Sequence, residues 1–142
     1  MRAVIDTCVI IDFATGRDER LLDQAGIILA SSYLRKYEGF ITSNTVTDIY
    51  YILHRLTHDN TQAKEYLNKI LDYVSILDVS DADCRKALSS KTSDYEDSVM
   101  IECASRNKID YIITDNIQDF KNSKIPAVCS GEFIRIIAGK GN

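Results

Sequence analysis

The sequence contains no tryptophan, one proline and only six glycines among its 142 residues. It also has no Gly/Ser-rich or low-complexity stretch, so nothing in it predicts an interdomain linker. No apolar run approaches the ~18 residues that a membrane span requires. The first apolar run ends at Asp6, too early for a signal peptide. These absences predict a cytoplasmic protein with no membrane partner and a single domain over residues 1–142.

The four cysteines carry no recognisable zinc or redox pattern. None belongs to a Cys-x-x-Cys pair, and their separations match no zinc-binding spacing. Cys8 and Cys103 lie inside apolar stretches, where a free thiol packs as a small hydrophobic group. The pattern favours structural cysteines, although disulfide connectivity cannot be read from sequence.

Basic residues are outnumbered as well: 17 Lys and Arg stand against 21 Asp and Glu, for a net charge of -4. This balance argues against a general nucleic-acid binder with a broad basic face. It does not exclude a nuclease, because a metal site would neutralise several of the excess acids. Substrate contact would then depend on local basic clusters.

Short apolar runs alternate with longer amphipathic segments, which is typical of βα units around a parallel sheet. Strands are predicted near residues 2–5, 40–42, 73–77, 110–113 and 126–128. Helices are predicted over residues 9–13, 18–37, 43–56, 59–71, 80–89, 93–107 and from 130 onward. The predicted fold class is α/β, a three-layer α/β/α domain with a central, mostly parallel sheet.

Short polar residues mark the starts of two predicted helices. Ser43 or Asn44 can cap one of them, and Ser93 or Asp94 can cap the other, with Asp94 the better candidate of its pair. In a right-handed doubly wound sheet, both helices begin at the edge where the strands end. Residues one turn inside these helices can therefore reach that edge.

Four aspartates stand where such a sheet would bring them together. Asp6 ends the first strand, Asp119 follows the fourth strand and its turn, and Asp48 and Asp97 lie about one turn inside their helices. The carboxyl ends of parallel strands converge on one crevice. Acids gathered there repel one another unless they are protonated or bridged by a cation, and hard oxygen ligands favour Mg²⁺ or Mn²⁺. The arrangement predicts a metal-dependent phosphodiesterase.

Two parts of the sequence resemble a known family. Residues 1–10 place Asp6 and Thr7 after an apolar strand, as at the start of a PIN domain. Residues 94–104 and 110–120 resemble the second half of the same family, and the likeness extends from Met1 to about Phe133. The resemblance implies a compact PIN-like α/β fold.

The resemblance also implies a function. Many PIN domains are Mg²⁺- or Mn²⁺-dependent ribonucleases, and many small ones are the VapC-like toxins of toxin–antitoxin pairs, often as homodimers. An RNA substrate, an antitoxin partner encoded elsewhere and a homodimer are therefore expected. The expected reaction is hydrolysis, in which one or two bound cations lower the pKa of a water and offset charge at the scissile phosphate.

By position, the resemblance implies the catalytic acids Asp6, Asp48, Asp97 and Asp119. Asp6 and Asp97 are expected to be direct metal ligands, and Asp119 a ligand through water or at a second metal. Asp48 is expected to orient or deprotonate the attacking water. Around these acids we expect supporting residues at the following positions: Thr7, Ser43, Asn44, Asp94, Thr114, Asp115 and Asn116.

Two departures from the family pattern motivate an alternative. Asp48 is one methylene shorter than the Glu that is usual there, and Asp115 stands where relatives often have Arg. The alternative is a catalytically weak or inactive PIN-fold module that acts by binding or regulating a protein. A third class, phosphoryl transfer onto Asp6, is disfavoured because dehalogenase-like enzymes carry a second Asp where this chain has Cys8.

Structural explanations compete with the catalytic ones. Asp6 can simply cap the helix that follows it, and Asp97 can compensate the dipole of its helix. Glu96 and Glu102 are expected on the surface, because their offsets from Asp97 do not share its helical face.

Overall fold

A computed structural model describes residues 1–92 and 94–139 of the chain, so Ser93, one of the two caps predicted for its helix, lies outside the described residues. The described strands are β1 (Arg2–Ile5), β2 (Glu38–Thr42), β3 (Ser75–Leu77), β4 (Tyr111–Ile113) and β5 (Ala127–Val128). They form one parallel sheet in the order β3-β2-β1-β4-β5.

Helices connect and cover these strands: α1 (Thr7–Thr15), α2 (Glu19–Tyr33), α3 (Ser43–Thr57), α4 (Asn60–Leu71), α5 (Asp81–Ala87), α6 (Tyr95–Arg106) and α7 (Ser130–Gly139). A short 3₁₀ helix, Ile117–Phe120, follows β4. Within the described part of the chain, no helix is long and apolar enough to cross a membrane.

The strands β1, β2 and β4 are buried on both faces and almost uniformly apolar, whereas Ser75 and Ile76 of the edge strand β3 are exposed. Alternate residues of each strand point to opposite faces. Ala3 and Ile5 pack with α1, α2, α3, α4 and α7 on one side, whereas Val4 packs with α6 on the other. These two cores confirm the predicted three-layer α/β/α architecture.

The strand order places β1 and β4 side by side although most of the chain separates them. The chain runs outward from β1 through β2 to β3, then crosses to β4 and continues to β5. Ligands of open parallel sheets bind beyond the strand ends at this point of reversal. The backbone amide of Asp6 donates to the Ile113 carbonyl over 2.9 Å, which joins the two strand ends directly.

Local chemistry accounts for the element boundaries that differ from prediction. Thr42, rather than Ser43 or Asn44, is the N-cap of α3, without a side-chain capping bond. The helix α2 ends at Tyr33 instead of continuing to residue 37, because Arg35 adopts a left-handed φ of 56°. That turn lets Tyr37 enter the core, where its hydroxyl donates to the Ile28 carbonyl over 3.0 Å.

Asp83 and Arg106 connect α5 to α6. Ser80 and Asp83 form a reciprocal capping box at the start of α5. Arg106, at the end of α6, donates to both Asp83 carboxylate oxygens, with Nη2 lying 2.8 Å from Oδ2. These hydrogen bonds, those from Arg106 foremost, lower the pKa of Asp83 to about 2.

Candidate active site

A cleft of about 320 Å³ opens at the carboxyl ends of β1 and β4. Its lining includes the four aspartates predicted to converge, and two further acids from the start of α6. The six carboxylates belong to Asp6, Asp48, Asp94, Glu96, Asp97 and Asp119, and the other lining residues are Thr7, Cys8, Ile11, Met100 and Asn116.

Asp6 is held by side chains rather than by the helix that follows it. It is the N-cap residue of α1, yet its side chain makes no capping hydrogen bond. Instead, its Oδ2 accepts from the Thr114 hydroxyl at 2.7 Å and from the Cys8 thiol at 3.2 Å. The carboxylate is 7% exposed and lines the cleft. Helix capping therefore does not account for Asp6.

The turn after β4 brings three further polar residues to the same edge. Thr114 is fully buried, and its Oγ1 accepts from the backbone amide of Asn116 at 3.0 Å. The Asp119 amide in turn donates to the Asn116 carbonyl over 3.0 Å. These bonds make a compact turn that presents Asn116 and Asp119 to the cleft.

The N-terminus of α6 supplies the next pair of acids. Asp94 caps the helix by accepting from the amides of Glu96 at 2.8 Å and Asp97 at 3.3 Å, as expected. Asp97 lies one turn inside and is partly buried. Burial, followed by the charges of the neighbouring carboxylates, raises the pKa of Asp97 to about 7. The folded protein therefore disfavours the charged form of Asp97.

Asp48 reaches the cleft from α3 and meets Glu96 across it. A hydrogen bond with the Asp48 side chain, assisted by partial burial, raises the pKa of Glu96 to about 7. Glu96 is exposed, as expected, but it also belongs to the cleft. Helical offset alone did not predict this, because the residue lies in the first turn, where its side chain can reach past the helix end.

Cys8 faces Asp6 from the first turn of α1. Burial and the neighbouring Asp6 charge raise the pKa of the Cys8 thiol to about 12, so it remains a protonated donor at neutral pH. Its sulfur also lies 3.7 Å from the Thr114 hydroxyl. All four cysteines are free thiols.

Three of the supporting residues expected at the site bond elsewhere. Ser43 accepts from the Val79 amide at 3.2 Å, which ties α3 to the segment after β3. The amide oxygen of Asn44 accepts from the Thr42 hydroxyl at 2.7 Å. None of the three, Ser43, Asn44 or Asp115, lines the cleft.

Asp115 lies in the turn after β4, where an acid that faced the cleft would oppose phosphate binding. Its two oxygens instead accept from the Ser130 amide at 3.0 Å and from the Ser130 hydroxyl at 2.8 Å. The carboxylate thus binds the first residue of α7, where the helix dipole also favours a negative charge. This departure from the family pattern places no additional acid in the cleft.

Thr45, which the sequence analysis did not single out, contacts the cleft residue Thr7 from α3. It is 2% exposed, and its hydroxyl lies 3.4 Å from that of Thr7 and 3.0 Å from that of Thr42. A threonine one turn before Asp48 is a weak sequence signal, because threonine is common at helix starts. Glu102 was expected on the surface, but its side chain is only 14% exposed and pairs with Lys124 at 2.9 Å.

Acidic side chains dominate the charge of the cleft. Its lining among the described residues contains no Lys or Arg. Within residues 1–92 and 94–139, no group of three or more His, Cys, Asp or Glu side chains is arranged to hold a metal ion by itself. The cleft is therefore an open arrangement of hard oxygen donors and not a closed cage.

The sequence profile of the PIN domain matches residues 2–118 of the chain. This chain belongs to the PIN-domain family. Membership supports a nuclease as the broad class of this PIN domain. No curated protein matches it by sequence comparison.

Solved structures share the fold of this PIN domain at low sequence identity. VapBC2 of Rickettsia felis, bound to a DNA fragment from its promoter, has a TM-score of 0.68 at 14% identity over 91% of this chain and 98% of its own. A toxin–antitoxin complex of Klebsiella pneumoniae has a TM-score of 0.65 at 19% identity, covering 90% of this chain and 97% of its own. VapC20 of Mycobacterium tuberculosis, a toxin that cleaves the sarcin–ricin loop, has a TM-score of 0.63 at 11% identity, with coverages of 87% and 98%.

Proposed function

We propose that this PIN domain is a Mg²⁺- or Mn²⁺-dependent endoribonuclease that hydrolyses RNA phosphodiester bonds. The observation that carries the proposal is the cleft at the β1–β4 edge, whose lining has six carboxylates and, among the described residues, no basic side chain. An RNA phosphate would be repelled by these acids unless a cation lay between them. Burial, followed by repulsion from the neighbouring carboxylates, raises the pKa of Asp97 to about 7.

The donor chemistry of the cleft fits a hard divalent cation. Mg²⁺ keeps several waters and commonly uses only one or two carboxylates, so an open cleft suffices. Asp6 and Asp97 are the proposed direct ligands, and Asp119 is a ligand through water or at a second metal. Asp48 is the group proposed to orient or deprotonate the attacking water. When bound, the cation would lower the pKa of a coordinated water and offset charge at the scissile phosphate.

The proposal is tested by incubating the purified protein with end-labelled structured and unstructured RNAs in Mn²⁺, Mg²⁺ or EDTA. Cleavage is expected only with a divalent cation. Asp6→Asn should reduce the rate by about 100-fold or more, since even an outer-shell partner of a metal site can be worth that much. The control is Asp23→Asn, which makes the same chemical change at an exposed position of α2 and should cleave normally.

Calorimetric measurement of Mn²⁺ binding, made in parallel, decides how an absence of cleavage is interpreted. Absence of cleavage together with absence of any calorimetric signal for Mn²⁺ would overturn the nuclease. It would favour the alternative, a catalytically weak or inactive PIN-fold module that binds a protein partner. Equal cleavage by the wild type and Asp6→Asn would point to a contaminating nuclease.

We further propose that the nuclease is the toxin of a toxin–antitoxin pair, as the fold neighbours from Rickettsia felis and Klebsiella pneumoniae are components of such complexes. Induced expression in a bacterial host should then arrest growth. Asp6→Asn should relieve the arrest at equal protein level. Arrest that persists in this variant would contradict a toxin acting through RNA cleavage.

An apolar groove of about 410 Å³, which shares no lining residue with the acidic cleft, is the proposed binding site of an antitoxin segment. Its lining includes Phe13, Leu53, Leu56, Tyr66 and Tyr73. Leu56 is 53% exposed and Tyr66 is 43% exposed. Amphipathic peptides insert apolar side chains into grooves of this kind.

Leu56→Asp should abolish rescue by an antitoxin selected genetically for relief of growth arrest, while RNA cleavage by the variant stays normal. Unchanged rescue would mean that the antitoxin binds another surface.

The expected homodimer also belongs to this proposal. Light scattering of the purified protein would decide it, with a mass of 32 kDa expected from two chains of 16.0 kDa.

A further inference from the structure

The two carboxylate oxygens of Asp6 have unequal surroundings. Thr114 and Cys8 both donate to Oδ2, at 2.7 and 3.2 Å. Within the described part of the chain, no hydrogen bond reaches Oδ1, and the side chain does not cap α1. Because Asp6 lines the cleft, Oδ1 is the oxygen left available to it.

The Thr114 hydroxyl donates to Asp6 Oδ2, which is the nearer of its two candidate acceptors, Asp6 Oδ2 at 2.7 Å and Cys8 Sγ at 3.7 Å. The hydroxyl is buried and already accepts the Asn116 amide at 3.0 Å. The amide occupies an acceptor lone pair of the hydroxyl, so its one proton remains for Asp6 Oδ2. The backbone of Thr114 is fixed as well, since its amide donates to the Val128 carbonyl on β5 over 3.0 Å.

Cys8 donates to the same oxygen. It lies in the first turn of α1, two positions after Asp6, and its sulfur lies within 3.7 Å of the Thr114 hydroxyl. Two donors on one oxygen restrict rotation of the carboxylate about its last side-chain bond. Either donor alone leaves that rotation freer.

We propose that Cys8 is a positioning residue, which together with Thr114 holds Oδ2 of Asp6 and so directs Oδ1 to a divalent cation in the cleft. The inference rests on the proposed function, because it assigns a task within that metal site. Partners that orient metal ligands are commonly worth 10- to 100-fold in metal affinity. A thiol donates more weakly than a hydroxyl, so we expect a value near the lower end, about tenfold.

The competing explanation is packing alone, since Cys8 also contacts the apolar core on the α1 side of the sheet. Cys8→Ser and Cys8→Ala separate the two explanations. Both remove the volume of the sulfur, whereas only serine keeps a donor. A packing role therefore affects the two variants alike, and a positioning role distinguishes them.

The experiment measures the binding of Mn²⁺ alone to the full-length protein by titration calorimetry, with melting temperatures recorded in EDTA. Cys8→Ala should weaken Mn²⁺ binding about tenfold, and Cys8→Ser should stay within about twofold of the wild type by retaining the donor. Cys84→Ala, on α5 and absent from the cleft lining, should bind as the wild type does.

Equal affinities for the wild type, Cys8→Ala and Cys8→Ser would overturn the positioning role. An equal loss in both variants, together with an equal fall in melting temperature, would assign Cys8 to packing and also overturn it. If the wild type binds no Mn²⁺, the metal-dependent function fails first and the inference fails with it. If the wild type binds and only the Cys8 comparison disagrees, the proposed function stands.

Discussion

The N-terminus of α6 stabilises the ionised form of Asp97, whereas the surrounding cleft destabilises that form. A carboxylate in the first turn of a helix is stabilised by roughly 0.3–1 kcal/mol through the dipole. Burial and neighbouring carboxylates act in the other direction and raise the pKa of Asp97 to about 7. The net effect in the metal-free protein is a penalty on ionised Asp97.

Asp97→Asn should therefore stabilise the metal-free protein at pH 8. We expect about 1 kcal/mol, or ~3 °C in melting temperature for a chain of this length. The increase in melting temperature on adding Mn²⁺ should disappear in the same variant. Differential scanning fluorimetry in EDTA and in Mn²⁺ measures both effects, with Asp23→Asn as control. A lower melting temperature in EDTA would mean that the helix dipole outweighs repulsion in the cleft.

At the scale of the elements, β2 and α2 pack so closely at Gly39 that a side chain there would overlap α2. A Cβ on Gly39 of β2 would overlap the side chain of Ser32 on α2. Ser32 cannot easily move away, since its hydroxyl donates to the Tyr73 carbonyl at 2.6 Å, just before β3. One glycine thus permits helix, strand and the following segment to pack together.

Gly39→Ala should destabilise the fold by about 2 kcal/mol, the usual cost of overpacking a tight contact. Urea unfolding followed by circular dichroism measures it. The matched control is Gly26→Ala within α2, where the nearest atom to a Cβ is Phe13 Cε2 at 3.8 Å. That change should stabilise by about 0.5–1 kcal/mol through helix propensity. Destabilisation of the same size by both variants would refute the steric explanation.

Sequence patterns predicted the elements better than the contacts between them. The rule that parallel strands end at one edge predicts that Asp6 and Thr114 lie close together. Helical spacing predicts that Asp48 and Asp97 can reach the same edge. No such rule predicts that Ser43 would bond Val79, or that Asp115 would bond Ser130. Several short polar residues stand near each helix start, and only the tertiary packing decides which of them faces the cleft. The contacts of Cys8 and Thr45 were not predicted for the same reason.

For the whole molecule, two sets of acids respond to pH in opposite directions. Asp83 has its pKa lowered to about 2, so its contribution to stability is complete above its ordinary value of 3.8 and is lost as the pH falls toward 2. Asp97 and Glu96 have pKa values raised to about 7. Their contribution is complete below their ordinary values and is lost as the pH rises through 7.

Melting temperatures in EDTA should consequently be highest near pH 4 to 5 and decline toward pH 8. Millimolar Mg²⁺ should reduce the decline, because a ligand that binds only the folded state stabilises it by mass action. Asp97→Asn should flatten the EDTA curve without added cation. Melting temperatures that rise steadily from pH 4 to pH 8 in EDTA would show that the cleft acids do not repel one another as described.

The hydrogen bond between Thr114 and Asp6 joins residues 108 positions apart. On the ribosome, five of the six cleft carboxylates are already in the chain before Thr114 is made, and the sixth, Asp119, comes later still. Asp6 therefore lacks its hydroxyl partner until Thr114 has been made, and before then β4 cannot close the site. For the ribonuclease that we propose, cleavage therefore begins only after the chain has been made as far as Asp119 and β4 has joined the sheet.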